Sequence, residues 1–431
     1  MIPYIIPLKE ELQSMHHFQY KGNELCAEDV AVKDIVAAAG SPVYIYSQAT
    51  LERHYRAFDD AFAGVPHTIC YSVKANSTLA VLRNFIKLGG GVDIVSGGEL
   101  YRSLKAGVDP KKVVYSGVGK RDDEIEYALN TGILMFNVES EQELTRINDI
   151  AARMGKKAGI AIRVNPDVDP QTHPYITTGL KNAKFGITIE RAIEEYRRAK
   201  GMAGIEILGI DCHIGSQLTK VAPFVDSIKK LKDVIKSLAG MGIALKYFDI
   251  GGGLGIQYND EAPPLPADYG RAIIDETKDL GLHLLFEPGR NLVGNAGILV
   301  AKCLYTKERD EKNFIIIDAG MNDLARPALY GSFHGVRPVV QDQDGLIIAD
   351  IVGPICESGD FLVKEREVPM FRPGDLMAFM SAGAYGFAMS STYNSRPRVA
   401  EVMVKGNAFE VVRERETVEE LIKGERVPSF L

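Results

Sequence analysis

The sequence predicts an α/β plus all-β protein: a (β/α)8 barrel of the TIM type, and a second domain, a β-sandwich or β-barrel, formed by both termini. Three observations carry that expectation. Eight short apolar runs alternate with amphipathic stretches between residues 67 and 290. The runs are almost continuously apolar rather than alternating, as parallel strands buried on both faces require. Nearly every run also ends on a polar or conformationally special residue, and in a barrel those ends converge on the face where active sites form. A doubly wound sheet is the structural alternative.

The runs are TICYSVKA, VDIVSG, VVYSGV, LMFNVES, AGIAIRVNP, ILGIDCHIG, KYFDIGGG and HLLFEPGR. Between them lie helical patterns such as STLAVLRNFIKLG, GGELYRSLKAG, EQELTRINDIAARMG and APFVDSIKKLKDVIKSLAGMG. The residues at the C-terminal edges are Lys74, Ser96, Ser116, Asn165, His213, the glycines from Gly251, and Glu287. After Arg290 the pattern changes to short strand-like segments separated by turns: ILVAKCLYT, NFIIIDAG, GLIIADIVGP, DLMAFMSAG and RVAEVMVKG. This reads as all-β. The first forty residues hold a strand-like YIIPL and a helix pattern, CAEDVAVKDIVAAAG; SPVYIYS at 41–47 is one strand too many for the barrel. The expected organisation is therefore an N-terminal segment, 1–45, joining the β domain, a barrel over 46–293, and the β domain over 294–431.

The bulk properties fit an enzyme of the cytoplasm. A chain of 431 residues exceeds what one core normally serves, so two domains are expected. Hydrophobic content of 46% and charged content of 25% are ordinary for a globular protein. A net charge of −7, with no basic run, argues against nucleic acid or an anionic membrane as partner. The start, MIPYIIPLKEELQS, turns acidic too soon for a signal peptide, and no apolar run approaches spanning length. The five cysteines (Cys26, Cys70, Cys212, Cys303, Cys356) are scattered without a CxxC pair, which suggests free thiols in a reducing compartment.

Four motifs carry chemistry. In YSVKAN, Lys74 ends an apolar strand. Desolvation favours its neutral amine, as a Schiff-base lysine needs; a lysine snorkelling out at the strand end is the plain alternative. In FDIGGGLGIQ, three glycines directly after the seventh strand let backbone N–H groups approach a phosphate, although tight β–α connections use glycine anyway. The spacing is neither a dinucleotide nor a nucleoside-triphosphate motif. In FEPGR, Glu287 could hold a pyridine nitrogen protonated and Arg290 could take a phosphate or carboxylate, or the two could form an internal ion pair. In CHIGSQ, His213 could stack on a ring, act as acid or base, ligate a metal, or be a satisfied core histidine. No second ligand lies at metal spacing, so no metal is expected. Together the four supply what pyridoxal 5'-phosphate requires: an amine, a stacking face, a phosphate seat and a ring-nitrogen partner. GPICESGD, at 353–360, is a polar turn with an unexplained thiol beside a carboxylate.

With these motifs in hand, YSVKAN, DIVSGGEL, CHIGSQ, DIGGGLG, FEPGR, RPALYGSFH, GPICESGDFL and AGAYGFAMSSTYNSRPR resemble, in order and across the whole chain, the diaminopimelate decarboxylases. These are pyridoxal-phosphate enzymes similar in fold to alanine racemase and ornithine decarboxylase. The resemblance implies conversion of meso-2,6-diaminopimelate to L-lysine and carbon dioxide, with Lys74 as the coenzyme-binding lysine. It implies that His213 stacks on the ring and Glu287 pairs with its nitrogen. Ser216, Gly251, Gly252, Gly253 and Arg290 would line the phosphate end, with Arg290 also near substrate. Arg326 and Tyr330 would hold the distal carboxylate, Glu357 the distal ammonium, and Tyr385 both coenzyme and substrate. Cys356 would sit over the reacting carbon and, with Lys74, is a candidate proton donor. The resemblance also implies a homodimer with shared active sites.

Overall fold

The computed structural model describes residues 16–169, 178–179, 184–309 and 312–431, so YIIPL lies outside the described residues. It divides into two compact units: residues 52–292, and the residues up to Leu51 together with Val293–Leu431.

The first unit is a closed barrel of eight parallel strands. They are β1 (His67–Ser72), β2 (Gly91–Ile94), β3 (Val113–Tyr115), β4 (Met135–Val138), β5 (Ala158–Asn165), β6 (Ile205–Asp211), β7 (Tyr247–Asp249) and β8 (His283–Phe286). The ring closes where Leu284 of β8 faces His67 of β1, and Phe286 faces Ile69. Each strand coincides with one of the eight apolar runs. The expected helices form as Leu79–Lys87, Gly97–Lys105, Glu141–Arg153 and Ala222–Gly240, joined by Asp122–Thr131, Ile189–Ala199 and Pro266–Thr277. Ser96 is the N-cap of Gly97–Lys105, its hydroxyl accepting from Glu99 N–H at 3.2 Å, so this strand-end serine serves the helix.

Two layers fill the barrel. Cys70, Val114, Met135, Ala161, Leu208 and Leu285, from six different strands, pack into one buried apolar cluster. Side chains in a strand return to the same face every second residue. The next inward positions are therefore Ser72, Ser116, Asn137, Arg163 and Glu287, and two residues after Tyr247 comes Asp249. In β6 a register irregularity between Ile207 and Gly209 adds one residue, so Asp211 follows Leu208 by three. The sequence thus sets a polar layer directly on top of an apolar plug.

In the second unit, Val43–Ser47 lies between Gly297–Arg309, to which it is antiparallel, and Ala400–Lys405, to which it is parallel. The strand order runs Phe361–Pro369, Leu346–Val352, Lys312–Ile317, Gly297–Arg309, Val43–Ser47, Ala400–Lys405, Ala408–Arg413, with Leu376–Phe379 also paired to Gly297–Arg309. Two apolar clusters, around Tyr44, Leu299 and Phe379 and around Ile45, Ile298 and Val402, form its core. Phe18–Lys21, Glu24–Ala27 and Val30–Ala31 make a small separate sheet, followed by the helix Val32–Ala39. Among the described residues no helix is long and apolar enough to cross a membrane.

Candidate active site

At the mouth of the barrel, Lys74 sits in a short helical turn, Val73–Ala75, immediately after β1. Its side chain is 36% exposed, and Nζ lies 2.9 Å from Asp93 Oδ2. Asp93 itself is fully buried on β2. Ser72 Oγ donates to the same Asp93 oxygen at 2.7 Å and lies 2.9 Å from the Glu287 carbonyl oxygen, linking the lysine's partner to the end of β8. The Glu287 carboxylate is buried and accepts from Ser116 Oγ and Asn137 Nδ2, each at 3.0 Å. Burial, then the Asp249 and Asp93 carboxylates, push Glu287 well above the ordinary carboxyl range, against the pull of Lys74 and Arg163.

Asp249 and Asp211 complete a cluster of buried acids. Oxygens of Asp211, Asp249 and Glu287 all lie within 4.8 Å of one another. Asp249 accepts from Gly251 N–H at 2.9 Å and Asn137 Nδ2 at 3.2 Å, while Arg163 donates to Glu139 at 2.7 Å and approaches Asp211 at 4.0 Å. Burial raises Asp211, and burial with Asp211 raises Asp249 to about 8. Such a cluster demands positive charge from a proton, a metal ion or a cationic N–H. The protein-side donors are amides, a hydroxyl and a guanidinium, so the set favours a proton or an N–H.

A raised folded pKa means that the native state holds a proton the unfolded chain has released. The stabilisation is complete below the ordinary aspartate range and is lost as pH rises through the folded value. The coenzyme-free protein should therefore lose thermal stability from about pH 4 to about pH 8, and Asp249→Asn should reduce that loss by several degrees. Equal losses in both proteins, followed by calorimetry, would contradict the assignment.

His213 follows β6. Its Nδ1 lies 3.1 Å from Gly252 N–H, which can only donate, so Nδ1 carries the lone pair. Burial first, then Arg163 and Lys74, lower its pKa well below the usual histidine value, leaving a neutral ring. The glycines after β7 are required by packing. Gly251 and Gly253 adopt φ of 71° and 111°, and a Cβ on Gly252 would lie 2.1 Å from the Glu287 carbonyl oxygen. With Gly251 N–H on Asp249 and Gly252 N–H on His213, Gly253 is the member of the run whose N–H is given to neither. Beside the run, the buried Arg290 donates to Tyr258 Oη at 2.7 Å and to Ser216 Oγ at 3.0 Å. Asn165, by contrast, engages Phe185 O and Asp167 N–H in its own loop.

In the second unit, Arg326 opens the short helix Arg326–Tyr330 and is buried. Tyr330 and Tyr385 are partly exposed, and Tyr385 holds a left-handed backbone with φ 55°. Such a conformation is strained for a residue with a Cβ and recurs at functional loops. Cys356 and Glu357 are exposed. Their loop is nevertheless fixed: Asp360 accepts from Ile355 N–H and Met321 N–H, both at 2.6 Å, and Cys356 N–H donates to Asn394 Oδ1 at 2.8 Å. A hydrogen bond to Glu357 raises the Tyr393 phenol. GPICESGD is thus a stapled loop that presents a thiol and a carboxylate to solvent.

Residues 48–294 match the family model of the pyridoxal-dependent decarboxylase pyridoxal-binding domain. The chain is 52% identical to diaminopimelate decarboxylase of Pseudomonas aeruginosa over 411 residues, covering 95% of this chain and 99% of that one. The chain belongs to the diaminopimelate decarboxylase family. Its fold is similar to the crystal structure of diaminopimelate decarboxylase from Helicobacter pylori complexed with L-lysine, with a TM-score of 0.88, 41% identity, and coverage of 91% of this chain and 98% of that one. The M. jannaschii diaminopimelate decarboxylase in co-complex with L-lysine gives a TM-score of 0.91 at 36% identity, covering 96% and 98%.

The barrel mouth fits the coenzyme that this pyridoxal-dependent family uses. The acid cluster calls for a cationic N–H, the neutral His213 offers a ring face, Arg290 with Ser216 offers donors to a phosphate, and Lys74 offers an amine. Asp93, Asn137, Arg163, Asp211 and Asp249 do not stand out in the sequence, because each lies within or at the end of an otherwise apolar strand. For Asn137, Arg163 and Asp249 the signal is the two-residue step from the apolar plug, readable only once that plug is known; Asp211 is displaced from that step by the irregularity in β6.

Proposed function

We propose that this diaminopimelate decarboxylase binds pyridoxal 5'-phosphate in its barrel and uses it to release carbon dioxide from one α-carbon of meso-2,6-diaminopimelate, leaving L-lysine. One observation carries the reading: Ser72 and Asp93 join the Lys74 amine to the Glu287 end of the same polar layer. That places an amine and a proton-hungry carboxyl in one barrel mouth. When bound, the coenzyme supplies an electron sink for the carbon that loses carbon dioxide.

The chain's own residues divide the remaining work. Asp93 holds the Lys74 amine at the end of β1. Ser116 and Asn137 aim Glu287 at the ring nitrogen, His213 covers a ring face as a neutral imidazole, and Arg290, Ser216 and Gly253 take the phosphate, with Gly251 and Gly252 shaping the turn. Arg326 and Tyr330 bind the distal carboxylate of the substrate, Glu357 its distal ammonium, and Tyr385 touches both substrate and coenzyme. A proton from the Cys356 thiol, or from Lys74, fills the position vacated by carbon dioxide.

Decarboxylases of ornithine, arginine or lysine share the amine and phosphate chemistry but act on substrates with no distal carboxylate. A buried arginine kept for that carboxylate would be an uncompensated charge in their sites. The purified protein should therefore turn over meso-diaminopimelate at least about 10³-fold more efficiently than those three amino acids. Comparable kcat/KM on any of them would overturn the substrate assignment. Proton exchange at Cα without carbon dioxide release would instead indicate a racemase.

The exposed, stapled presentation of Cys356 and Glu357 supports a homodimer in which this loop serves the partner's site. An equal mixture of Lys74→Ala and Cys356→Ala chains, after subunit exchange, should recover about a quarter of wild-type activity. Half the dimers are then mixed, each with one intact site of two. No recovery after proven exchange would return the loop to its own barrel.

A further inference from the structure

His334 is fully buried in the same unit as Arg326, eight residues further along the chain. Its Nε2 lies 2.9 Å from Arg326 Nη1, and its Nδ1 lies 2.9 Å from the main-chain oxygen of Met380. These two contacts fix the ring. A guanidinium has donors and no lone pair, so Nε2 must accept; a carbonyl oxygen only accepts, so Nδ1 must carry the proton. A single neutral tautomer satisfies both. A doubly protonated ring would turn N–H toward N–H between two buried cations. The backbone is fixed as well, since Arg366 Nη2 donates to the His334 carbonyl at 2.7 Å while its guanidinium lies 4.1 Å from the Phe333 ring centre.

The choice of acceptor has a chemical consequence. A carboxylate in the place of His334 would orient Arg326 but would also bring a negative charge to it, in competition with any anionic ligand. A neutral imidazole orients the guanidinium and adds no charge. The anchor is built from a buried ring and a main-chain oxygen. We infer that His334 is a positioning residue that holds Arg326 in a fixed direction for the distal carboxylate of the substrate without neutralising it. This rests on the assignment of Arg326 to that carboxylate.

The test is a double-mutant cycle on the coenzyme-loaded enzyme, with meso-diaminopimelate as substrate. H334L should raise KM by about 10- to 100-fold, the size expected for a lost hydrogen bond to a charged group, with kcat changed less than about threefold. In an R326A background, H334L should add less than about twofold, because it acts through the guanidinium. H334Q, whose terminal oxygen reaches the Nε2 position, should keep KM near wild type. H334N, which reaches only toward Met380, should behave like H334L. A folded H334L with wild-type KM, or effects of H334L and R326A that multiply, would overturn the inference. Should H334L fail to fold, equal KM values for H334Q and H334N would overturn it in the same way. Failure of the underlying assignment looks different: R326A itself would then leave KM unchanged.

Discussion

Lys74→Ala is expected to lower kcat on meso-diaminopimelate by about 10⁴-fold or more while leaving the fold intact. The lysine sits at the end of β1, with Nζ on Asp93 at 2.9 Å, and is partly exposed, so truncation leaves no large cavity. It does remove the amine proposed to hold the coenzyme. Borohydride treatment of the loaded wild-type enzyme, followed by digestion and mass spectrometry, should place the coenzyme's mass on the peptide containing Lys74. The same treatment of Lys74→Ala should label no peptide. A variant that keeps wild-type turnover, or a label found on another lysine, would refute the assignment.

Arg326→Ala is expected to cost about 10²–10³-fold in kcat/KM for meso-diaminopimelate, the range for removing one partner of a buried charged contact. Coenzyme affinity, followed by titrating the apoenzyme, should change less than about twofold, because no residue assigned to the coenzyme's phosphate or ring nitrogen is disturbed. Arg326→Lys should recover only part of the loss, since an ammonium lacks the planar fork that takes a carboxylate on two bonds. Equal losses of coenzyme affinity and substrate turnover would show that Arg326 serves the β unit's structure instead of the substrate.

The barrel was legible because parallel strands buried on both faces announce themselves as apolar runs, and all eight runs became barrel strands. The interior of the barrel was less legible. Asp93, Asn137 and Asp249 read as interruptions in apolar strands, and only the cluster formed by Cys70, Met135 and Leu285 shows that they face inward. In the β unit, Phe361–Pro369 and Ala408–Arg413 escape a search for apolar runs. They are the two ends of the strand order, where strands carry charge against edge pairing, and FLVKEREVP has four charged residues in a row. The candidate site follows the same division. Lys74, His213 and Glu287 were visible as polar residues that end apolar strands, whereas Ser96 and Asn165, chosen on the same ground, serve a helix cap and a loop. His334 gave no signal, because a lone histidine in a polar stretch shows neither its burial nor its partner.

The coenzyme-bound barrel is proposed to remove carbon dioxide from meso-diaminopimelate and to leave L-lysine. The most direct test is to incubate the purified chain with pyridoxal 5'-phosphate and meso-diaminopimelate and to quantify both products. Carbon dioxide and L-lysine released in equal amounts, and only when the coenzyme is present, is the predicted result. Substrate recovered unchanged from a folded, coenzyme-loaded protein, or carbon dioxide released without lysine, would contradict it.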